Sequence, residues 1–235
     1  NPRASRTAPF VSKATGVPLP ALATRIMLGK TLKELDPWSR RKGGYVSVKE
    51  AVFPFKRFPG VDILLGPEMR STGEVMGIAP SFEEAFLKGQ LASGQKLPTW
   101  GKVFLSVNDR DKAFAPEVAG QLADMGFELL ATRGTAELLR SHGLEVSTVL
   151  KMYEGRPNVV DMIKNGEVAL IINTASGKRT ANDSKAIREA TLHYGVPYTT
   201  TMSGARAIAR AMHAAQNSEL RVKSIQDYYR AAPVK

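Results

Sequence analysis

The sequence predicts an α/β fold whose second half is a five-stranded parallel sheet with helices on both faces. Two observations predict it. Across residues 101–235, short runs rich in Val, Ile, Leu and Phe alternate with segments whose apolar residues recur at helical spacing. Four times a helical segment ends at a glycine, at Gly126, Gly143, Gly166 and Gly195, and a strand-like run starts within a few residues. Glycine suits the position after a helix because that residue often takes positive φ. Strands alternating with helices imply right-handed crossovers, hence parallel pairing and a helix layer on each face.

The elements follow in order. KVFLSV (102–107) is the first strand of the sheet, and a helix carrying Phe114, Val118, Leu122 and Met125 on one face runs to Gly126. FELLAT (127–132) is the second strand, and a short helix around Ala136–Arg140 ends at Gly143 before the third strand, LEVSTVL (144–150). Pro157 suits the first position of the next helix, which turns Val160 and Ile163 inward. VALIINT (168–174) is the fourth strand, a helix spans about Lys185–Tyr194, and VPYTTT (196–201) is the fifth. Ser203 is placed to cap a last long helix carrying Ile208 and Met212.

Residues 1–100 are less regular. Leu19, Leu22 and Ile26 give one helix face, YVSVKEAVFPF (45–55) alternates like a strand, and Ser81 with Glu84 has capping-box spacing before Phe82 and Phe86. GPEMRSTGEVMG (66–77) reads as a loop with a specific task. LASGQKLPTW (91–100) reads as a linker, which divides the chain into units 1–97 and 98–235.

Composition bounds the function. The chain has 235 residues, no cysteine, 43% hydrophobic residues and a net charge of +11. Lack of cysteine removes disulfides, thiolate metal sites and cysteine nucleophiles, and fits a cytoplasmic location. No apolar run approaches a membrane span, and the polar, basic start NPRASRT does not read as a secretory leader. Without an initiator Met, the chain is expected to be a piece of a longer one. His142, His193 and His213 fall in separate segments and read as solvated or capping residues. The excess charge, +7 in residues 1–100 and +4 beyond, forms no dense basic stripe with interleaved aromatics. Small phosphorylated ligands are therefore expected rather than nucleic acid.

In such sheets ligands bind beyond the carboxyl ends of the strands. Those ends carry Ser106 with Asn108, Thr132 with Gly134 and Thr135, Lys151, Asn173 with Thr174 and Ser176, and Thr199–Thr201. They are donors without a carboxylate, suited to an anion, with Lys112 over the same mouth; any one Thr or Ser alone reads rather as an ordinary helix cap, and it is all the strand ends together that point to a site. Gly177-Lys178 is not a phosphate-binding P-loop, because Ile172 and Arg179 stand where that motif needs glycine and Ser/Thr.

Several stretches together resemble one family, the large subunits of carbamoyl phosphate synthetases. They are NPRASRT with PFVSKATGVPL, FPGVDILLGPEMRSTGEVMG, FELLATRGTA, EGRPNVVDMIKNGE and IINTASG, and they cover nearly the whole chain in order. The resemblance implies that residues 1–97 are an α+β piece ending the second, carbamoyl-phosphate-forming ATP-grasp module. Residues 98–235 would then be an allosteric domain with a methylglyoxal-synthase-like, Rossmann-like fold. It implies a glutamine-hydrolysing ligase that makes carbamoyl phosphate from bicarbonate, glutamine-derived ammonia and two ATP, for pyrimidine and arginine synthesis. ATP and Mg2+ or Mn2+ would be needed. Partners would be the rest of the large subunit, a glutaminase small subunit, small nucleotide effectors and further copies of itself, but neither nucleic acid nor membrane. The chain alone would lack a complete active site.

Residue by residue, the resemblance makes Asn1 a metal ligand and Arg3 and Arg6 catalytic phosphate-neutralising groups. It makes Ser106, Lys112, Thr132, Thr135, Lys151, Asn173, Thr174, Ser176 and Gly177 the site for UMP as inhibitor or IMP as activator. Ala175 stands where a nucleotide-contacting threonine is expected. Glu74, Tyr198 and Thr200 match positions that hold ornithine, but Thr199 replaces an aspartate there, so an amine would lose a counter-charge. Two rivals remain open: a methylglyoxal-synthase-type phosphate lyase, whose base position falls at Arg156 with Glu154 nearby, and a pure oligomerisation module.

Overall fold

Val103, Phe104 and Leu105 are inaccessible to solvent, and the sheet is assembled around them. The computed structural model describes residues 5–37, 43–55, 70–174 and 181–230, with the backbone alone for 181–183. Five parallel strands, β3 (Lys102–Ser106), β4 (Glu128–Ala131), β5 (Ser147–Thr148), β6 (Leu170–Asn173) and β7 (Tyr198–Thr199), lie in the order β5-β4-β3-β6-β7. Side chains of a strand alternate between faces. Val103, Leu105, Leu129, Ala131, Leu170 and Ile172 accordingly pack against α5 (Ala115–Asp124), α6 (Arg133–Ser141) and α9 (Met202–Asn217). Phe104, Leu130 and Ile171 pack against α7 (Val159–Lys164) and α8 (Ala181–Tyr194) on the other face. The expected α/β sheet with helices on both faces is what forms.

The four glycine stops hold: Gly126, Gly143, Gly166 and Gly195 have φ of +87°, +79°, +72° and +71°. Other expectations shift. Phe114 lies in a single 3-10 turn, Lys112–Phe114, whose tighter period rotates it off the buried face of α5. It is 48% exposed under the Arg206 guanidinium, 5.8 Å from its ring centre. Pro157 does not start α7; Asn158 caps it, accepting from the Val160 and Asp161 amides while Asp161 reciprocates. Thr201, not Ser203, caps α9, accepting from the Gly204 amide at 3.1 Å. The third strand shrinks to Ser147–Thr148, because Leu150 leaves the ladder to bridge Asn158.

In the first part, α1 (Thr7–Thr15), α2 (Leu19–Met27) and α3 (Leu32–Leu35) precede an antiparallel pair, β1 (Val46–Val52) and β2 (Gly73–Ala79). The helix α4 (Phe82–Ala92) covers that pair and also packs on α9. Ser81 caps α4 by accepting from the Glu84 amide, while the Glu84 carboxylate pairs with Lys88 at 2.9 Å. The contact between α4 and α9 carries Arg210, paired with Glu83 and stacked over Phe82. The last helix, α10 (Ile225–Arg230), returns to the first part: Tyr228 is buried against Tyr45 and donates to the Ile78 carbonyl at 3.1 Å.

Candidate functional site

Strands β3, β4 and β5 run outward in one direction and β6 and β7 in the other, so the chain reverses between β3 and β6. A crevice opens at such a switch point, beyond the strands' carboxyl ends. Ser106 pairs in register with Asn173 there, and Leu105 pairs with Ala131, which precedes Thr132. The structure thus brings Ser106, Thr132, Thr135, Asn173 and Thr174 to three neighbouring strand ends. Lys151 follows Leu150 beyond β5, at the far side of the same rim.

Within that rim the hydroxyls and amides are not equivalent. Thr132, Thr135, Asn173 and Thr174 are all buried. Thr135 Oγ1 accepts from the Val107 amide at 3.1 Å and from Thr132 Oγ1 at 3.4 Å. Thr174 Oγ1 accepts from the Asn108 amide at 3.2 Å and from Asn108 Nδ2 at 3.1 Å. These groups hold β3 against its neighbours. Ser106, Lys112 and Lys151 are half-buried and stand above them, where a ligand can reach.

Asn108 organises the loop after β3. Its Oδ1 accepts from the Arg110 and Asp111 amides at 2.9 and 3.1 Å, and its Nδ2 donates to the Thr174 carbonyl at 2.6 Å and to Asp111 Oδ2 at 2.7 Å. The Asx turn so formed carries the chain into the 3-10 turn that bears Lys112. Lys112 Nζ lies near the first turn of α6: a methyl added to Gly134 would stand 3.9 Å from it. Helix N-termini carry partial positive charge, so an ammonium placed there is favourable only with an anion between. Lys112 is paired here with Asp109, which is almost fully exposed, at 2.7 Å, and holds its carboxyl below the ordinary range, first by hydrogen bond and then by charge. The rim is therefore not free of carboxylates, as its strand ends alone suggested. Asp109, Asp111 and Glu154 stand in the connecting loops, Glu154 accepting from the Lys151 amide at 2.9 Å.

Asn1, Arg3, Ser176 and Gly177, with Ala175, lie outside the described residues, as does residue range 56–69 of the first part. Arg6 is described: it stands just before α1, and its Nη2 donates to the Ser71 carbonyl and hydroxyl at 3.2 and 3.1 Å. The three histidines are exposed, and His142 contacts the Leu138 carbonyl at the end of α6. Arg156, where the lyase reading places its base, is 78% exposed and paired with Asp161 at 3.3 Å.

A second concavity lies between β1 and the edge strand β7. It measures about 930 Å3 and is lined by Glu50, Phe53, Phe55, Lys96, Tyr198 and Thr200 among others. Tyr198 and Thr200 share this wall, whereas Glu74 is not part of it. Glu74 pairs with Lys49 at 2.9 Å and with Arg6 at 3.9 Å. The stretch read as a linker supplies Ser93–Lys96 to the wall, a role its Gly- and Pro-containing composition does not signal. Burial raises the Glu50 carboxyl above its ordinary range, partly opposed by a hydrogen bond to Gln90. Because the folded state then favours the protonated acid, Glu50's contribution is most favourable below the ordinary carboxylate pKa. It is lost as pH rises through the folded value. Glu50→Gln is expected to raise the urea midpoint at neutral pH and to lose that advantage in acid; an equal gain at both pH values would contradict the assignment.

Residues 115–200 match the MGS-like domain family. The chain is 53% identical over 228 residues to the carbamoyl phosphate synthase large chain of Nostoc sp., covering 97% of this chain and 21% of that one. The large chains of Pasteurella multocida and Archaeoglobus fulgidus are 54% and 51% identical over 230 residues, again across 97% of this chain and 21% of theirs. The chain spans about a fifth of the length of the curated relatives it matches. Among the described residues no helix is long and apolar enough to cross a membrane. Residues 115–200 therefore match the MGS-like domain family, within a chain that is about half identical, over nearly its whole length, to the C-terminal part of carbamoyl phosphate synthase large chains.

Proposed function

We propose that this chain is the C-terminal regulatory part of a carbamoyl phosphate synthase large chain, divided near residue 97 into the end of an ATP-grasp module and a nucleotide-binding allosteric domain. The observation that carries the effector reading is the Lys112 ammonium beside the N-terminal turn of α6, at the ends of β3 and β4 and next to the β3–β6 switch point. Two positive potentials converge there, and the carboxylate paired with Lys112 is exposed and displaceable. A nucleotide 5′-phosphate is the anion of matching size and charge, held by Lys112, Lys151 and Ser106 with Thr132, Thr135, Asn173 and Thr174 bracing the rim. Ser176 and Gly177 extend the same site in sequence. The ligand is UMP or IMP, and its role is regulatory because Arg156 offers no base for proton abstraction.

In the first part, Arg6 with Arg3 neutralises charge on phosphate oxygens, and Asn1 helps to hold Mg2+ or Mn2+. The Arg6 guanidinium, half-exposed beside Ser71, suits a phosphate oxygen. ATP supplies the phosphoryl group, carbamate receives it, and bicarbonate and glutamine-derived ammonia enter through the rest of the large chain and a glutaminase subunit.

Isothermal titration of the intact large chain with UMP, IMP and dihydroxyacetone phosphate tests the effector site. UMP or IMP is expected to bind without turnover. Lys112→Ala is expected to weaken it about ten- to a hundredfold, the value of one charge-assisted hydrogen bond. Turnover of the triose phosphate, or nucleotide affinity indifferent to Lys112, would overturn the reading.

A further inference from the structure

Among the described residues, Arg6 joins a cluster of Thr7, Lys49, Ser71 and Glu74 that its sequence position does not announce. Strands β1 and β2 pair Ala51 with Glu74, which makes Lys49 the diagonal neighbour of Glu74 on one face of the pair. Lys49 Nζ stands 2.9 Å from Glu74 Oε1 and donates to Thr7 Oγ1 at 2.9 Å. Glu74 Oε1 is also 3.9 Å from Arg6 Nε, while Ser71 takes Arg6 Nη2 through its carbonyl and hydroxyl. The Glu74 side chain is 17% exposed, against 38% for Arg6.

We propose that Glu74 and Lys49 are positioning residues for Arg6 in phosphoryl transfer, an inference that rests on the reading of Arg6 as a phosphate-neutralising group. The arrangement has the charge balance such a role needs. Glu74 alone would orient Arg6 but cancel its charge. Lys49 takes the shorter contact with Glu74, so the carboxylate charge is shared between the two cations and does not fall on Arg6 alone. In that step the bond from phosphorus to the ADP oxygen breaks as a bond to a carbamate oxygen forms. Thr7, tied to Lys49, fixes the start of α1 and so the backbone from which Arg6 projects. A reacting centre misplaced by about 1 Å can cost a hundredfold in rate, so a loosened Arg6 acts mainly on turnover.

The test uses the intact large chain with its glutaminase partner and measures ATP formed from carbamoyl phosphate and ADP, the reverse of carbamate phosphorylation. Bicarbonate-dependent ATP hydrolysis by the other module serves as the folding control. Glu74→Gln is expected to lower kcat about ten- to a hundredfold with KM for ADP within about threefold, and Glu74→Asp to recover part of it. Lys49→Met is expected to act in the same direction by a smaller factor. On an Arg6→Met background, Glu74→Gln is expected to add less than about twofold, because residues acting through one group are not additive. A full second loss on that background, or an unchanged kcat in Glu74→Gln with Lys49→Met, would overturn the proposal. Arg6→Met that leaves kcat unchanged would instead remove the functional reading beneath it.

Discussion

Gly77→Ala is expected to lower the unfolding midpoint of this protein by roughly 6–12 °C, from a loss of about 3 kcal/mol in a chain of this size. The cause is a backbone-to-backbone approach. Strand β2 crosses beneath α4 so closely that a methyl on Gly77 would stand 1.8 Å from the Ala85 carbonyl oxygen and 2.6 Å from the Gly89 nitrogen. Neither neighbour is a side chain that can rotate away. Relief requires α4 to move off the strand pair, and α4 also meets α9 through Glu83, Phe82 and Arg210. The displacement would therefore reach the contact between the two parts of the chain. Overpacking usually costs about 1–3 kcal/mol, and a clash against two main-chain atoms belongs at the upper end or beyond. Gly120→Ala is the matched control: Gly120 lies within α5, has open space at its Cβ position and is expected to gain about 0.5–1 kcal/mol. Thermal denaturation of both variants checks the pair. Equal midpoints would mean that α4 rides on β2 more loosely than these distances say.

The parallel sheet was legible because its signals are local. A glycine at positive φ after each of four helices, and Val, Ile and Leu where both faces of a strand are covered, appear as pattern in the chain itself. The donors at the strand ends were legible for the same reason, since β-strand ends in an alternating fold can be counted off. What the sequence concealed is direction and partnership. Thr135 and Thr174 look like ligand hydroxyls, yet each accepts from the main chain just beyond β3. Phe114 keeps helical spacing with Val118, but the 3-10 turn that holds it breaks the phase. The pairs Lys49–Glu74 and Arg206–Glu117 join residues remote in sequence, and no periodicity predicts which charges meet. Residues 175–180 lie outside the described residues, so Ser176 and Gly177 stand on resemblance alone.

Asn108→Ala is expected to damage both stability and effector binding, and the two effects can be separated. Asn108 links the end of β3 to the end of β6 and closes the turn that carries Lys112 over α6. Its removal deprives the Thr174 carbonyl of its 2.6 Å donor and the Arg110 amide of its acceptor, and leaves the Asp111 amide only the Asn108 main-chain carbonyl. Leaving such groups unmet costs about 1–3 kcal/mol. With the turn released, Lys112 no longer has a fixed place beside Gly134, and affinity for UMP or IMP is expected to fall more than about tenfold. Asn108→Asp isolates the second effect. The aspartate keeps an acceptor for the Arg110 and Asp111 amides, so the turn survives, but it faces the Thr174 carbonyl and the Asp111 carboxylate without a donor and adds negative charge where a phosphate must approach. It should therefore lose less stability than the alanine variant and at least as much nucleotide affinity. Urea unfolding alongside nucleotide titration of the two variants decides the matter. If Asn108→Asp binds nucleotide as tightly as the parent chain, the anion does not sit at the β3–β6 end of the sheet, and Lys112 must serve some other purpose.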